Sequence, residues 1–240
     1  IGGRACECRV RACVGYTRSC HMVRAGPVIR LLLVDDFPIV REGLRVLLGA
    51  QQDFEVVGQA GNGLEAVRQV LKLHPDVVIM DIAMPEMNGI EATMQIHDAA
   101  PSTHVVIMSM HSTTEHIFRA LQAGATGYLL KDSIGAEVVK AVRAVHAGRR
   151  YLSESIAGAA IDDYISGRHH ANPLESLSSR ERQILQLVVE GKVSSEIGTM
   201  LFLSPKTVDT YRSRMMHKLG IRDIPALVKF AIKQGMTQLD

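Results

Sequence analysis

Residues 29–36 read Ile-Arg-Leu-Leu-Leu-Val-Asp-Asp, a short apolar run that stops on two carboxylates. The same plan returns downstream. Val-Val-Ile-Met (77–80) stops on Asp81, Val-Val-Ile-Met (105–108) on Ser109, and Gly-Tyr-Leu-Leu (127–130) on Lys131. Runs this short, rich in Val, Ile and Leu and separated by helical patterns, read as buried strands of a parallel sheet. In such a sheet all the carboxyl ends lie along one edge, which is where ligands bind. Three acids, a hydroxyl and an ammonium are therefore expected to converge on one small site.

The intervening segments have helical spacing. Pro38 opens a stripe of Ile39, Val40, Leu44, Leu47 and Leu48, with proline at the tolerated first turn. A short strand around Val56-Val57 follows, then a stripe of Leu64, Val67, Val70 and Leu71. Further helices are expected near 89–98, around 114–122 and over Val138 to Val145. Five strands alternating with five helices predict a doubly wound α/β domain with a five-stranded parallel sheet, assigned to residues 28–150.

Residues 151–173 change character. Ile156, Ala159, Ala160 and Tyr164 allow a short helix, and the polar, turn-rich stretch up to Pro173 reads as a mobile linker. Over 174–240 the pattern is helical only. Ser178 and Glu181 carry a capping-box signature. Ser204 and Pro205 open a helix whose core stripe is Val208, Tyr211, Met215 and Leu219. Four helices in a smaller all-α domain, two of them joined by the turn at Phe202-Leu203, predict a helix-turn-helix DNA reader.

The chain has 240 residues, 47% hydrophobic and 22% charged, which suits one large or two small globular domains. No apolar stretch approaches the roughly 20 residues of a membrane span, and residues 1–28 lack the apolar core of a secretory signal. A cytoplasmic protein with no membrane partner is expected. Residues 28–150 carry 11 Lys and Arg against 14 Asp and Glu, and residues 172–240 carry 10 against 7. That polarity points to a polyanion partner for the second half alone. Cys6, Cys8, Cys13 and Cys20, with His21 beside them, match no zinc spacing. The lack of cysteine in the rest of the chain fits a reducing compartment. Residues 1–27 are read as a disordered or non-native extension, with the natural beginning near Met22 or Val23.

Asp35, Asp36 and Asp81 placed together repel, at about 4 kcal/mol per pair for about 4 Å and an effective dielectric near 20. A divalent cation relieves this, and oxygen-only ligation favours Mg2+. One carboxylate can then attack phosphorus, as in aspartyl-phosphate chemistry. Asp81 is the expected nucleophile because it ends a central strand alone. Lys131 supplies a compact positive charge and Ser109 a hydroxyl donor.

On these residues the chain resembles two known families. Val34-Asp35-Asp36, Met80-Asp81-Ile82-Ala83-Met84-Pro85 with Gly89, Ser109 and Gly127-Tyr128-Leu129-Leu130-Lys131 resemble the receiver domain of a two-component response regulator, a flavodoxin-like fold. Leu-Leu-Lys-Asp-Ser at 129–133 is similar to the NarL/FixJ type. The resemblance implies that Asp81 takes a phosphoryl group from a sensor histidine kinase. It also implies that Asp35, Asp36, Asp81 and the backbone carbonyl of Ala83 hold Mg2+, and that Ser109 and Tyr128 form the switch pair. Ala83 and His111 match positions that tune phosphate lifetime.

Leu177-Ser178-Ser179-Arg180-Glu181-Arg182, Leu203-Ser204-Pro205-Lys206-Thr207-Val208 and Lys218-Leu219-Gly220 resemble the LuxR-type output domain. Lys206, Thr207, Arg212, Arg214 and Lys218 are expected on DNA phosphates. Asp209, Thr210 and Ser213 match positions that reach base edges. Double-stranded DNA, a second copy of the chain and RNA polymerase are the remaining expected partners. An enzyme is not expected, because phosphatases of this chemistry place a second acid where this chain has Ala83. A phosphorylation-independent regulator that uses its receiver for dimerisation is the alternative.

Overall fold

The computed structural model describes residues 28–158 and 173–236, apart from positions 111, 134 and 235. The Cys-rich stretch, His111 and most of the expected linker lie outside the described residues.

The first part alternates as expected. Strands β1 (Ile29–Val34), β2 (Phe54–Ala60), β3 (Val77–Asp81), β4 (His104–Ser109) and β5 (Gly127–Leu130) are separated by α1 (Pro38–Gly49), α2 (Gly63–Leu73), α3 (Gly89–Ala99) and α4 (Thr114–Gln122), with α5 (Ala136–His146) after β5. All pairings are parallel, in the order β2-β1-β3-β4-β5-β6, where β6 is Tyr151–Leu152. The sixth strand, Tyr151–Leu152, corrects the expected count of five and takes the first residues assigned to the linker. It forms because β5 offers an unpaired edge: Tyr151 N–H donates to the Thr126 carbonyl and Ser153 N–H to that of Tyr128. Residues 154–158 are then helical, and Ile156 is buried with the core.

Side chains alternate across the sheet, so each apolar run feeds two cores. Leu32, Val34, Val78, Met80, Ile107 and Tyr128 face the layer holding α2, α3 and α4. Leu31, Leu33, Val77, Ile79, Val106 and Met108 face α1 and α5. Burial on both sides is why these strands read as continuous apolar runs. The chain reverses its direction of winding between β1 and β3, so the ends of those two strands border one crevice.

The second part is helical: α6 (Ser179–Val189), α7 (Ser194–Leu201), α8 (Pro205–Leu219) and α9 (Ile224–Lys233). Ser178 and Glu181 cap α6 reciprocally. Ile184, Leu187, Ile197, Val208, Met215 and Leu227 belong to one core. The turn from α7 to α8 is very close: a Cβ on Gly198 would lie 2.6 Å from the Leu203 carbonyl oxygen. Ser204 accepts from Thr207 N–H, and Pro205 occupies the first turn of α8. Among the described residues no helix is long and apolar enough to cross a membrane.

Candidate functional site

The strand ends converge as the sequence requires. One carboxylate oxygen each from Asp35, Asp36 and Asp81 lies within 4.8 Å of the others. Lys131 reaches across from the end of β5, its Nζ 2.7 Å from Asp35 Oδ2 and 2.9 Å from Asp81 Oδ2. Asp35 and Asp81 are almost fully buried. Backbone donors hold them: Phe37 N–H to Asp35 Oδ1 at 2.9 Å, and Ile82 N–H to Asp81 Oδ1 at 2.8 Å. Arg41 donates to the Asp35 carbonyl. Gly89 brings α3 against the end of β3, where a Cβ would come within 1.9 Å of the Asp81 carbonyl oxygen.

The electrostatics are those of a site with too many acids. Burial pushes Asp81 up to about 6, although Lys131 opposes it. Asp36 is raised by burial and then by Asp35. Burial alone would lower Lys131, but Asp81 and Asp35 hold its ammonium above the ordinary range. Asp36 Oδ1 is buried with no hydrogen-bond partner. An oxygen-only donor set with an orphaned buried oxygen fits a hard divalent cation. Ala83, two residues beyond Asp81, is buried in the loop before α3.

Ser109 ends β4 and is buried, and Tyr128 on β5 is wholly buried. Burial pushes the Tyr128 phenol up to about 12, against the lowering effect of the Ser109 side chain. The ring is thus already turned inward.

The expected DNA-contacting residues do not behave alike. Lys206, Asp209, Thr210, Ser213 and Arg214 are exposed on the outer face of α8, with Val208 and Met215 buried beneath. Asp209 Oδ1 is 2.6 Å from Ser194 Oγ at the start of α7. Arg212 is half-buried and donates to the same hydroxyl at 3.1 Å. Thr207 bonds Ser204 within the cap. Lys218, expected on phosphate, lies 2.6 Å from Glu181 Oε2 and ties α8 to α6.

Sequence reasoning missed the seam between the two parts. Arg182 of α6 donates through Nε to Glu91 Oε2 of α3 at 2.9 Å. Asn88 Nδ2 meets Gln186 Oε1 at 3.4 Å, and Glu86 N–H donates to Glu190 Oε1 at 3.0 Å. Arg119 of α4 donates to the Gln234 carbonyl at 2.6 Å. Burial raises the Glu190 carboxyl. Glu86 has φ of 64°, a left-handed backbone unusual for a non-glycine residue. The loop that follows Asp81 is therefore in direct contact with α6. The outer face of α8 stays exposed while the two parts are docked.

Comparison with known proteins agrees with the two-part reading. Residues 31–143 match the response regulator receiver domain family, and residues 175–231 match the bacterial regulatory proteins of the luxR family. The oxygen regulatory protein NreC of Staphylococcus aureus (strain bovine RF122 / ET3-1) is 34% identical over 216 residues, which cover 88% of this chain and 100% of that protein. A two-component response regulator of the LuxR family from Aurantimonas sp. SI85-9A1 superposes with a TM-score of 0.56 at 39% identity, over 57% of this chain and 99% of that one. A structure of two RcsB dimers bound to two parallel DNAs gives 0.55 at 25% identity, over 85% and 98%.

Proposed function

Since this chain belongs to the response regulators that join a receiver domain to a LuxR-type DNA-binding domain, we propose that it is a phosphorylation-switched transcription regulator whose phosphoacceptor is Asp81. The observation that carries this reading is the meeting of Asp35, Asp36, Asp81 and Lys131 at one sheet edge. The family is one of regulators rather than enzymes.

A sensor histidine kinase supplies the phosphoryl group as phosphohistidine. A carboxylate oxygen of Asp81 attacks phosphorus and the P–N bond breaks. The imidazole leaves with the electron pair and takes up a proton. With its pKa at about 6, Asp81 is mostly ionised at neutral pH and able to attack. Asp35, Asp36, Asp81 and the Ala83 carbonyl would hold Mg2+, which when bound offsets the charge of the carboxylates and of the phosphoryl oxygens. Lys131, already bonded to Asp35 and Asp81, takes a phosphoryl oxygen in exchange. The product adds about −1.5 to −2 charge, which Ser109 and Tyr128 register.

Residues 28–150, with the added strand Tyr151–Leu152 and the buried Ile156, act as the receiver, the rest of 151–173 as the linker and 174–240 as the DNA reader. Lys206 and Arg214 address phosphates, and Thr210 and Ser213 address base edges. Thr207, Asp209 and Arg212 shape that face from the cap and from the bond to Ser194. The outer face of α8 is open in the docked arrangement, so phosphorylation acts on how two copies are presented to DNA rather than by uncovering α8. A homodimer on two-fold symmetric DNA follows, as RcsB dimers bind DNA. The setting is the cytoplasm, with RNA polymerase downstream.

Acetyl phosphate with Mg2+ should label the parent chain and leave Asp81→Asn unlabelled; persistent labelling at another residue would overturn the assignment.

A further inference from the structure

The outer face of α8 carries a carboxylate where a polyanion is expected. Asp209 is the fifth residue of that helix, in the amino-terminal half that a helix-turn-helix reader turns toward base edges. Its side chain is 62% exposed. A bare negative charge at that place would only repel DNA phosphates.

This charge is neither bare nor loose. Asp209 Oδ1 accepts from Ser194 Oγ at 2.6 Å. The same hydroxyl accepts from Arg212 Nη1 at 3.1 Å, so its one hydrogen is directed to the carboxylate. Arg212 Nη1 itself lies 3.8 Å from Oδ1. Ser194 opens α7 and Asp209 lies on α8, so the bond crosses between the two helices joined by the turn. The carboxylate is thereby held in one orientation, and part of its charge is offset. None of the hydrogen bonds or ion pairs among the described residues engages Oδ2. One oxygen serves the protein, and the other remains as an acceptor.

In the major groove only the N4 amino group of cytosine and the N6 amino group of adenine donate, whereas guanine and thymine offer acceptors. Adenine sets its N7 acceptor beside that donor, and N7 repels a carboxylate that cannot turn away. We propose that Asp209 is a specificity-determining residue, whose Oδ2 accepts a hydrogen bond from N4 of one cytosine in each half of a two-fold symmetric site. The inference rests on the reading of α8 as the DNA-contacting helix. Oδ1 shapes the face through Ser194, and Oδ2 reads the base. Lys206 and Arg214 supply the attraction to phosphate that carries the carboxylate into the groove. The charge also works by exclusion, since adenine, guanine or thymine at that position brings an acceptor against it.

The test enriches duplexes from a random-sequence pool with the full chain, with and without acetyl phosphate and Mg2+, and sequences them for the parent and three variants. The parent should enrich a site with one cytosine in each half whose replacement lowers affinity about tenfold in a competition titration. Asp209→Asn should enrich adenine at that position, because an amide meets adenine N6 and N7 together, with the other positions unchanged. Asp209→Ala should show no preference there. Ser194→Ala should keep cytosine with a weaker preference, since Oδ1 loses its anchor. Asp209 is exposed, so its variants should keep the circular dichroism spectrum of the parent. A parent that enriches no sequence under either condition would overturn the reading of α8 as the DNA-contacting helix, and this inference with it. Enrichment of the same bases by the parent, Asp209→Asn and Asp209→Ala, with affinity lowered evenly, would overturn the inference alone and leave Asp209 as a support for Arg212.

Discussion

The sheet edge and the seam both bury ion pairs, and they differ in what charge is left over. At the edge, three carboxylates meet one ammonium, which is at salt-bridge distance from two of them. At the seam, Glu91 is matched by Arg182, and Glu115 offsets part of the charge of Arg119. Balanced charge fastens one element to another. Charge in excess costs folding free energy and is relieved by a ligand of opposite sign. The edge therefore calls for a cation, and the seam holds its charges in pairs.

The strain at the edge sets the largest expected effect. A carboxyl group whose pKa is higher in the folded chain binds its proton more tightly there, so ionising it works against folding. For Asp81 the rise is from 3.8 to about 6, a penalty of about 3 kcal/mol at neutral pH. The penalty is complete above pH about 6 and disappears as the pH falls toward the unfolded value. Asp81→Asn should accordingly raise the stability of the metal-free receiver by about 3 kcal/mol at pH 7, with the advantage gone near pH 4. Urea unfolding of parent and variant in EDTA reads this difference. A variant less stable than its parent at pH 7 would break the contrast between the two regions. Mg2+ should stabilise the parent and do little for the variant.

The seam gives a smaller effect of opposite sign, because there the charge is matched. Glu91→Gln removes the partner of a partly exposed Arg182 and should weaken docking by about 1–2 kcal/mol. Small-angle scattering should show a larger radius of gyration at low ionic strength, with receiver unfolding unchanged. An unaltered radius would mean that the pair does not fasten the two parts.

This contrast also explains what could be read from the sequence. The four apolar runs stop at the carboxyl edge of the sheet because buried parallel strands leave little freedom in composition, so the places of Asp35, Asp81, Ser109 and Lys131 were legible from position alone. Tyr151-Leu152 has no run length to notice, and its strand exists only because β5 has a free edge. Glu91, Arg119 and Arg182 sit in helices, where an isolated charge reads as a solvated face. Only the packing of α6 against α3 and α4 turns them inward, and no local period records that. The close approaches at Gly89 and Gly198 are likewise tertiary facts. The core stripe of α8, by contrast, follows from its period, since Val208 and Met215 are buried as their spacing predicts.

The smallest effects divide the basic residues of α8, and they bear on the same question of matched and unmatched charge. Arg214 is exposed and enters none of the ion pairs among the described residues, whereas Lys218 is bonded to Glu181. Burial would raise Glu181, but Lys218 and Ser178 hold its carboxyl below the ordinary range. A cation already matched gains little by moving to a DNA phosphate, because it must first give up the carboxylate. Arg214→Ala should therefore reduce the slope of log affinity against log salt by about 0.9, the contribution of one phosphate contact. Lys218→Ala should leave that slope alone. Its own effect is a loss of about 0.5 kcal/mol in the helical domain, small because the pair is half-exposed and screened. Acidification should erase this difference, since protonating Glu181 removes the partner that the lysine holds. Equal losses of salt slope in the two variants would show that Lys218 leaves Glu181 on binding, and that a matched pair in this protein can still be recruited by a ligand.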